Sequence, residues 1–467
     1  MSLPVASQQD APRKRWLVIG GGVMGLKIAE DLVDKGQEVV IAEAAESFGG
    51  LTSAWKLGDV TWDRFYHVTL LSDSVLRDQL AKLDLEQEIR WVETKTGFYA
   101  GGKLLSMSNT LEFLKFPPLN LFERLRLGGT IFLASKIRDF RSMERQSVEG
   151  WLRRWSGKGA FEKVWLPLLK AKLGDAYKQT SAAFIWAHTQ RMYKARRSGA
   201  KKEMFGYVPG GYARIVDVWT RSLQSRGATL LAGHPVRQVR QVDGGGLEVD
   251  YGEGRSDQFD CVVSTIASPL IAKQCSELAP EESAKLEDVK YLGVVCASML
   301  LKKPISEYYV TNITDTWVPL TGIIEMSTIV DSDEELGGNH LVYLPKYMID
   351  SHEGLQESDE DYEARCLDTL EKMYEHFSRE DVLQFRVARA RYVAALSTVD
   401  YSTRLPPIVT SVPGFYALNS AHILEGNLNV NETLLLGEEK LASEVWPDFV
   451  ARASTSPQEQ QPEPLYG

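Results

Sequence analysis

The sequence predicts an α/β fold, and three separated stretches predict it: residues 16–43, 228–266 and 414–445. In the first, the apolar run 16–19 reads as a strand and stops at Gly20-Gly21-Gly22-Val23-Met24-Gly25, a G-x-G-x-x-G pattern. Met24, Ile28 and Leu32 then recur at helical spacing, with Ala29 and Val33 beside them, until Gly36 supplies a stop. Residues 38–42 read as a second strand, and Glu43 stands at its end. This is the pattern of a Rossmann-like dinucleotide site. Gly20 permits a tight turn, Gly22 lets the backbone approach a pyrophosphate, and Gly25 lets helix and strand pack closely. The helix N-terminus offers free N–H groups and the positive end of its dipole to the phosphates. Glu43 can accept hydrogen bonds from ribose hydroxyls and disfavours a 2′-phosphate.

The second stretch, 228–266, is strand-rich, with a turn at Asp243–Gly246 and a stop at Ser268-Pro269. In the third, a strand at 415–418 precedes a loop and a helix that starts at Asn431 and Glu432, with Leu434, Gly437, Leu441 and Ala442 as its packing stripe.

Composition narrows the function. At 467 residues the chain suggests two or three domain-sized units. Its 53 basic and 63 acidic residues leave −10, which argues against nucleic acid as the main partner. Cys261, Cys275, Cys296 and Cys366 lack C-x-x-C spacing, so neither a disulfide framework nor a zinc site is expected, and a cytoplasmic setting fits. There is no apolar run of about 18 residues and no signal-peptide pattern, so the chain is not expected to span a membrane. Residues 1–14 and 454–467 have the polar or Pro/Gln/Glu-biased composition of disordered ends. No metal constellation is visible, and Ser156 and Ser264 lack the flanking glycines of a nucleophile elbow.

Shortly after Glu43 comes a second glycine pair, Gly49-Gly50 in 44–53. Together with the first unit it resembles the extended FAD fingerprint of the amine oxidase, protoporphyrinogen oxidase and phytoene desaturase superfamily. Leu51 stands where that superfamily usually has Arg, so phosphate charge must be neutralised by dipoles or by other residues. The strand-rich block resembles the one whose backbone reads the adenine, the match falling on Val236. The stretch 414–445 resembles the closing FAD motif, with Asn419 in place of the usual Asp. Residues 151–174 and 205–215 resemble segments of protoporphyrinogen-oxidase-like enzymes, and 63–67 (DRFYH) resembles a D-x-G-x-H stretch of phytoene desaturases, with Phe65 replacing the glycine.

The resemblance implies an FAD cofactor held by Gly20, Gly22, Gly25, Glu43, Gly49, Gly50, Val236, Asn419 and Asn431. It implies an FAD-dependent oxidoreductase that dehydrogenates a small organic substrate, with a lipophilic one as an option. Two alternatives stay open: a flavin-dependent isomerase or mutase, similar to UDP-galactopyranose mutase or carotenoid isomerase, and a non-catalytic flavin-binding protein. It also implies interleaving, with an FAD-binding domain of 15–72, 204–269 and 411–449 and a substrate domain of 73–203 and 270–410. Within the latter, 119–140 and 147–155 carry apolar residues at helical spacing, while the second part alternates strands and loops. Such strands suit an antiparallel sheet with helices on one face.

The segments 63–67 and 421–431 are expected to converge on the flavin ring, which makes His67, His422 and Glu425 the catalytic candidates. A hydrogen-bonded core histidine is the plainer role for His67. Arg64 suits an anionic partner or a surface ion pair. Lys170 and Lys172 read as solvated helix positions, and Tyr343 and Tyr347 as core aromatics that can also wall a cavity. Residues 111–137 mix apolar side chains with Lys and Arg, which suits a packed amphipathic helix pair or peripheral membrane contact.

Overall fold

The structure is a computed structural model that describes residues 12–108, 110–197 and 204–455. The ends expected to be disordered lie outside the described residues, apart from 12–14 and 454–455. Five strands form one parallel sheet in the order Thr229–Leu231, Glu38–Ala42, Arg15–Ile19, Cys261–Ser264 and Phe415–Ala417. A parallel sheet is covered on both faces, which explains strands whose central residues are apolar in unbroken runs rather than alternating. The two faces feed different cores. Trp16 and Val18 pack with the helices Val23–Asp34, Gly211–Ser225 and Val430–Lys440. Leu17 and Ile19 pack with Val239, Val249 and Ile271 on the other side.

That second side is covered by an antiparallel meander of Gln238–Gln241, Leu247–Gly252 and Arg255–Phe259. The first strand of this meander starts only at Gln238, leaving Val236 in the connecting loop. The helix Ser74–Lys82 buries Leu76 and Leu80 in the same core as Trp16 and Leu26, across the expected boundary at residue 72. Met204–Tyr207 likewise pairs with Arg90–Glu93. An amphipathic pattern shows that a helix has an apolar face but not which core receives it. Here the Leu76 N–H donates to Asn431 Oδ1, fixing this helix against Val430–Lys440.

A seven-stranded sheet forms the second layer, in the order Val382–Ala395, Tyr291–Leu301, His340–Ile349, Gly322–Glu325, Val310–Ile313, Thr96–Ala100 and Lys103–Ser106. It departs from the expected antiparallel sheet at one pair: Val310–Ile313 runs parallel to Thr96–Ala100. These strands are more than 200 residues apart in sequence, so no hairpin constrains their direction. Tyr291–Leu301 is buried along its whole length. Val295, Ala297 and Met299 face the helix Asp359–Met373, while Val294, Cys296 and Leu300 share a cluster with Trp62, Tyr207 and Tyr343. The helices expected before residue 204 are present, among them Leu121–Lys136, whose N-terminus carries an Asn120–Glu123 capping box.

Trp16 joins the two ends of the chain: it stacks on Tyr416 at 5.9 Å and meets Phe449 edge-on at 5.0 Å. Its Nε1 donates to Gln37 Oε1 at 3.1 Å. Trp16→Ala should therefore cost about 3–5 kcal/mol, read from denaturant unfolding, with Trp16→Phe costing less. Equal stability of Trp16→Ala and the parent would show that this stack does not hold the sheet to the C-terminal helices.

Candidate active site

Two glycine turns face each other backbone to backbone. Gly20 and Gly49 have φ of +103° and +112°, a region that only glycine adopts cheaply. A Cβ on Gly25 would lie 1.9 Å from the Gly20 carbonyl oxygen, so helix and strand meet there with no room for a side chain. Gly22 pairs with Gly49 in an isolated parallel bridge, and the Gly49 N–H donates to Gly21 O at 2.8 Å. Gly22 itself is different. Its φ of −73° suits any residue, and a Cβ there would come no nearer than 3.9 Å to protein. A methyl at Gly22 would thus meet Gly50 and Gly49 only at ordinary van der Waals distance, next to a helix N-terminus that no side chain caps. A pyrophosphate fits such a cradle, because first-turn N–H groups lack intrahelical partners.

Glu43 fastens this cradle. Its carboxylate accepts from Gly21 N at 2.7 Å and Ala45 N at 2.8 Å, and its carbonyl accepts from His234 N. Val236 follows in that same loop, its carbonyl accepting from Gln274 Nε2. These residues suit FAD. The helix Val430–Lys440 starts earlier than expected: Asn429 is its cap, accepting from Glu432 N at 3.1 Å, while Asn431 bonds Leu76. The Asn419 side chain accepts from Ala421 N and donates to Ser268 Oγ.

The strand Val60–Asp63 delivers the next segment. Asp63 is buried and accepts from Tyr212 N at 3.0 Å, capping the helix Gly211–Ser225 from outside. Burial pushes its carboxyl up to about 8, with the N–H groups of Tyr212 and Ala213 opposing. Burial pushes His67 down to about 4, so its imidazole is neutral at physiological pH. His67 Nδ1 lies 2.9 Å from Phe65 O, and a donor there leaves Nε2 with a free lone pair. Asp63, His67 and Tyr212 line a cavity with room for about one water, beside a buried Tyr212 hydroxyl that has no partner among the described residues.

Further polar groups continue from there. Tyr66 and Tyr347 share a hydroxyl–hydroxyl bond of 3.2 Å, and Lys172 Nζ sits 3.0 Å above the centre of the Tyr347 ring. Lys172 is held down to about 7 by burial alone. His188 presents open surface, yet burial, aided by the charges of Arg191 and Lys172, pushes it down to about 4. Arg191 pairs with buried Asp73 at 3.1 Å.

The structure revises several expectations. Lys170 is solvated as expected, but Lys172 on the same helix is half-buried and desolvated. Tyr343 is fully buried, its hydroxyl donating to Asp63 O at 2.6 Å, whereas Tyr347 is half-buried beneath Lys172. Arg64 lies over Trp55 with a buried Nε that has no partner among the described residues. His422 is buried with its ring nitrogens 3.1 Å from Asn419 O and 3.2 Å from Pro406 O, which occupies both. Glu425 is exposed. Leu428 of 421–431 packs against the same hydrophobic cluster as Phe65 and Tyr66 of 63–67. His188 and Arg191 had no signal in the sequence, because they lie on a helix that carries no motif.

The glycines give a paired test. Gly22→Ala should leave the unfolding transition of the apoprotein in place yet abolish FAD retention, because the added methyl fills only the cradle. Gly25→Ala should lower thermal stability as well, because its methyl meets backbone. FAD content of purified Gly22→Ala equal to that of the parent would remove the pyrophosphate from this position.

Comparison with known proteins places these features. Residues 25–421 match the family described as flavin containing amine oxidoreductase. The protein named "Probable zeta-carotene desaturase" of Synechococcus elongatus is 26% identical over 263 residues, covering 51% of this chain and 54% of that protein. The chain spans about half the length of the curated relatives it matches. Among solved structures, cyclohexylamine oxidase from Brevibacterium oxydans has a TM-score of 0.71 at 12% identity, covering 95% of this chain and 100% of that one. Reduced UDP-galactopyranose mutase has a TM-score of 0.68 at 14% identity, with 95% and 99% covered. At these identities the two structures are similar in fold. With a double glycine cradle suited to FAD and a family match over most of its length, the chain belongs to the flavin containing amine oxidoreductase family.

Proposed function

We propose that this protein is an FAD-dependent oxidoreductase that dehydrogenates a small organic substrate held beside Tyr66, His67, Lys172, His188 and Tyr347. The observation that carries this reading is where these residues sit. The chain, having left the glycine cradle at Gly49-Gly50, reaches 63–67, where Tyr66 bonds Tyr347, which carries Lys172 over its ring. FAD, when bound, would supply the two-electron acceptor for the hydride. In this proposal Gly20, Gly22, Gly25, Gly49 and Gly50 approach the pyrophosphate, Glu43 the ribose and Val236 the adenine. Asn419 and Asn431 hold the elements that face the ring. His67 Nε2 takes the proton that a substrate O–H or N–H gives up, while His422 holds the loop and Glu425 stays at its outer rim. The FAD-binding part comprises 15–72, 204–269 and 411–449, extended by 73–93, which shares its core and sheets.

Anaerobic mixing of holoprotein with candidate substrates should bleach the flavin absorbance. His67→Ala should slow that reduction by roughly 10²–10⁴-fold with FAD content unchanged. In the parent the rate should fall only as pH approaches about 4, since the proton-accepting imidazole persists down to there rather than to 6.5. An unchanged rate in His67→Ala would take His67 out of the proton transfer. Consumption of one acceptor per product separates this reaction from a mutase-type one, which needs reduced flavin and consumes none.

We further propose peripheral contact with an anionic membrane surface through 111–137. Leu121, Phe122, Leu125 and Phe132 are 63%, 67%, 60% and 58% exposed, which a fully packed helix pair does not explain. Residues 111–163 carry eleven Lys and Arg against six Asp and Glu in a chain of net charge −10. Arg124 and Arg126 bond backbone carbonyls, which leaves their charge for lipid phosphates. Among the described residues no helix is long and apolar enough to cross a membrane. The protein should sediment with phosphatidylglycerol vesicles more than with phosphatidylcholine ones, and Phe122→Glu with Phe132→Glu should abolish it. Equal recovery in the supernatant with both vesicle types would end this proposal.

A further inference from the structure

Away from the glycine cradle, three chain segments border a cleft of about 340 Å³. Residues 285–290 run from the end of the helix Pro280–Asp288, 396–404 follow the strand Val382–Ala395, and Gln179 closes the third side. Main-chain bonds fix these segments to one another: Leu396 N donates to Lys290 O at 2.8 Å, and Val399 N to Gln179 O at 3.2 Å. Beneath them Tyr401 is buried, its hydroxyl donating to Ala421 O at 2.9 Å. The walls are therefore held in shape before any ligand arrives, which lowers the ordering cost of binding. None of the residues given a part in the proposed reaction lines this cleft.

The charge around the cleft runs against that of the chain. Lys285, Lys290 and Arg404 line it with Asp288 as the one carboxylate among the lining residues, in a protein of net charge −10. Asp288 does not neutralise all three. It lies 3.7 Å from Lys290 Nζ and 3.5 Å from Arg404 Nη1, beyond ordinary hydrogen-bond length, and Lys285 pairs with no carboxylate among the described residues. The plainer role of such lysines is to offset the negative end of the helix, which is worth about half a charge. That accounts for one lysine and not for Arg404. About one and a half positive charges remain, close to the charge that a phosphate monoester carries with opposite sign near neutral pH. Arg404 is also aimed. Its Nη2 donates to Thr398 Oγ1 at 2.6 Å and to Val399 O at 3.1 Å, which leaves Nε–H and an Nη1 N–H for the oxygens of an anion.

We propose that this cleft binds the phosphate monoester of a small polyhydroxy compound, a sugar phosphate, with Lys285, Lys290 and Arg404 holding the phosphate. The volume exceeds what inorganic phosphate fills and lies at the lower end of small-molecule sites, so the ligand has a body as well as a charge. Gln179 and Thr398 offer hydrogen-bonding groups to the hydroxyls of that body. The one aromatic residue of the lining, Tyr401, is buried, so a nucleotide base finds no ring to stack on.

The test is calorimetric titration of the holoprotein, near neutral pH and at physiological ionic strength, with ribose 5-phosphate, ribose and inorganic phosphate. Ribose 5-phosphate should bind about tenfold or more tightly than either of the others, the scale of one charge-assisted hydrogen bond. Lys285→Gln combined with Lys290→Gln should lower that affinity by about tenfold or more. Melting temperature and FAD content should stay at the parent's values, because both side chains are exposed. Lys103→Gln combined with Lys372→Gln removes the same charge from exposed positions outside the cleft, and should leave the affinity unchanged. Absence of binding by all three compounds overturns the site, as does equal affinity of ribose 5-phosphate with ribose or with inorganic phosphate. An affinity that survives the loss of Lys285 and Lys290, or that both lysine pairs lower equally, overturns it as well.

Discussion

Everything in this fold depends on one steric constraint, the contact of backbone with backbone at the two glycine turns. The helix Val23–Asp34 lies against Arg15–Ile19 so closely that Gly25 has no space for a methyl group. That closeness sets the helix N-terminus beside Gly22, and the bond from Gly49 N to Gly21 O brings the second turn opposite. Glu43 then ties the first turn to its own segment, its carboxylate accepting from Gly21 N and Ala45 N. From Gly49-Gly50 the chain continues through Ala54–Leu57 and Val60–Asp63 to 63–67, so the position of His67 follows from the same contact.

The polar groups beyond this cradle illustrate how burial, more than charge pairing, sets the chemistry. Asp63, His67, Lys172 and His188 are all moved toward their neutral forms, and desolvation is the largest cause for each. A site of neutral acids and bases suits a reaction in which a hydride leaves and a proton must be collected without fixed ions nearby. Asp63 contributes mainly as a cap on Gly211–Ser225, which sets the angle at which Tyr212 meets His67.

What could be read from the sequence was local in the chain. The glycines, Glu43 and the strand pattern around them lie within 36 residues, so their spacing alone encodes their geometry. Lys172 was unreadable for the opposite reason. A lysine on an amphipathic helix looks the same whether that face meets water or protein, and here Thr321, 149 residues away, donates to Ala171 O and holds Lys172 over the Tyr347 ring. The helix start at Asn429 rather than Asn431 follows from which Asn reaches Glu432 N, a choice between near-identical residues. The parallel pairing of Val310–Ile313 with Thr96–Ala100 depends on chain segments that no local pattern connects.

The strand order carries a consequence for how the chain comes to be folded. Arg15–Ile19 is at the centre of its sheet, yet one neighbour is at Cys261–Ser264, and the outermost strand on that side, Phe415–Ala417, arrives last in synthesis. Loop closure over such separations is slow, so long-range sheets of this kind assemble late. Until residue 261 has left the ribosome, the strand that presents the glycine turn has an open, wholly apolar edge, a template for pairing with other chains. The nascent protein is therefore most exposed to aggregation through the segment that later holds its cofactor.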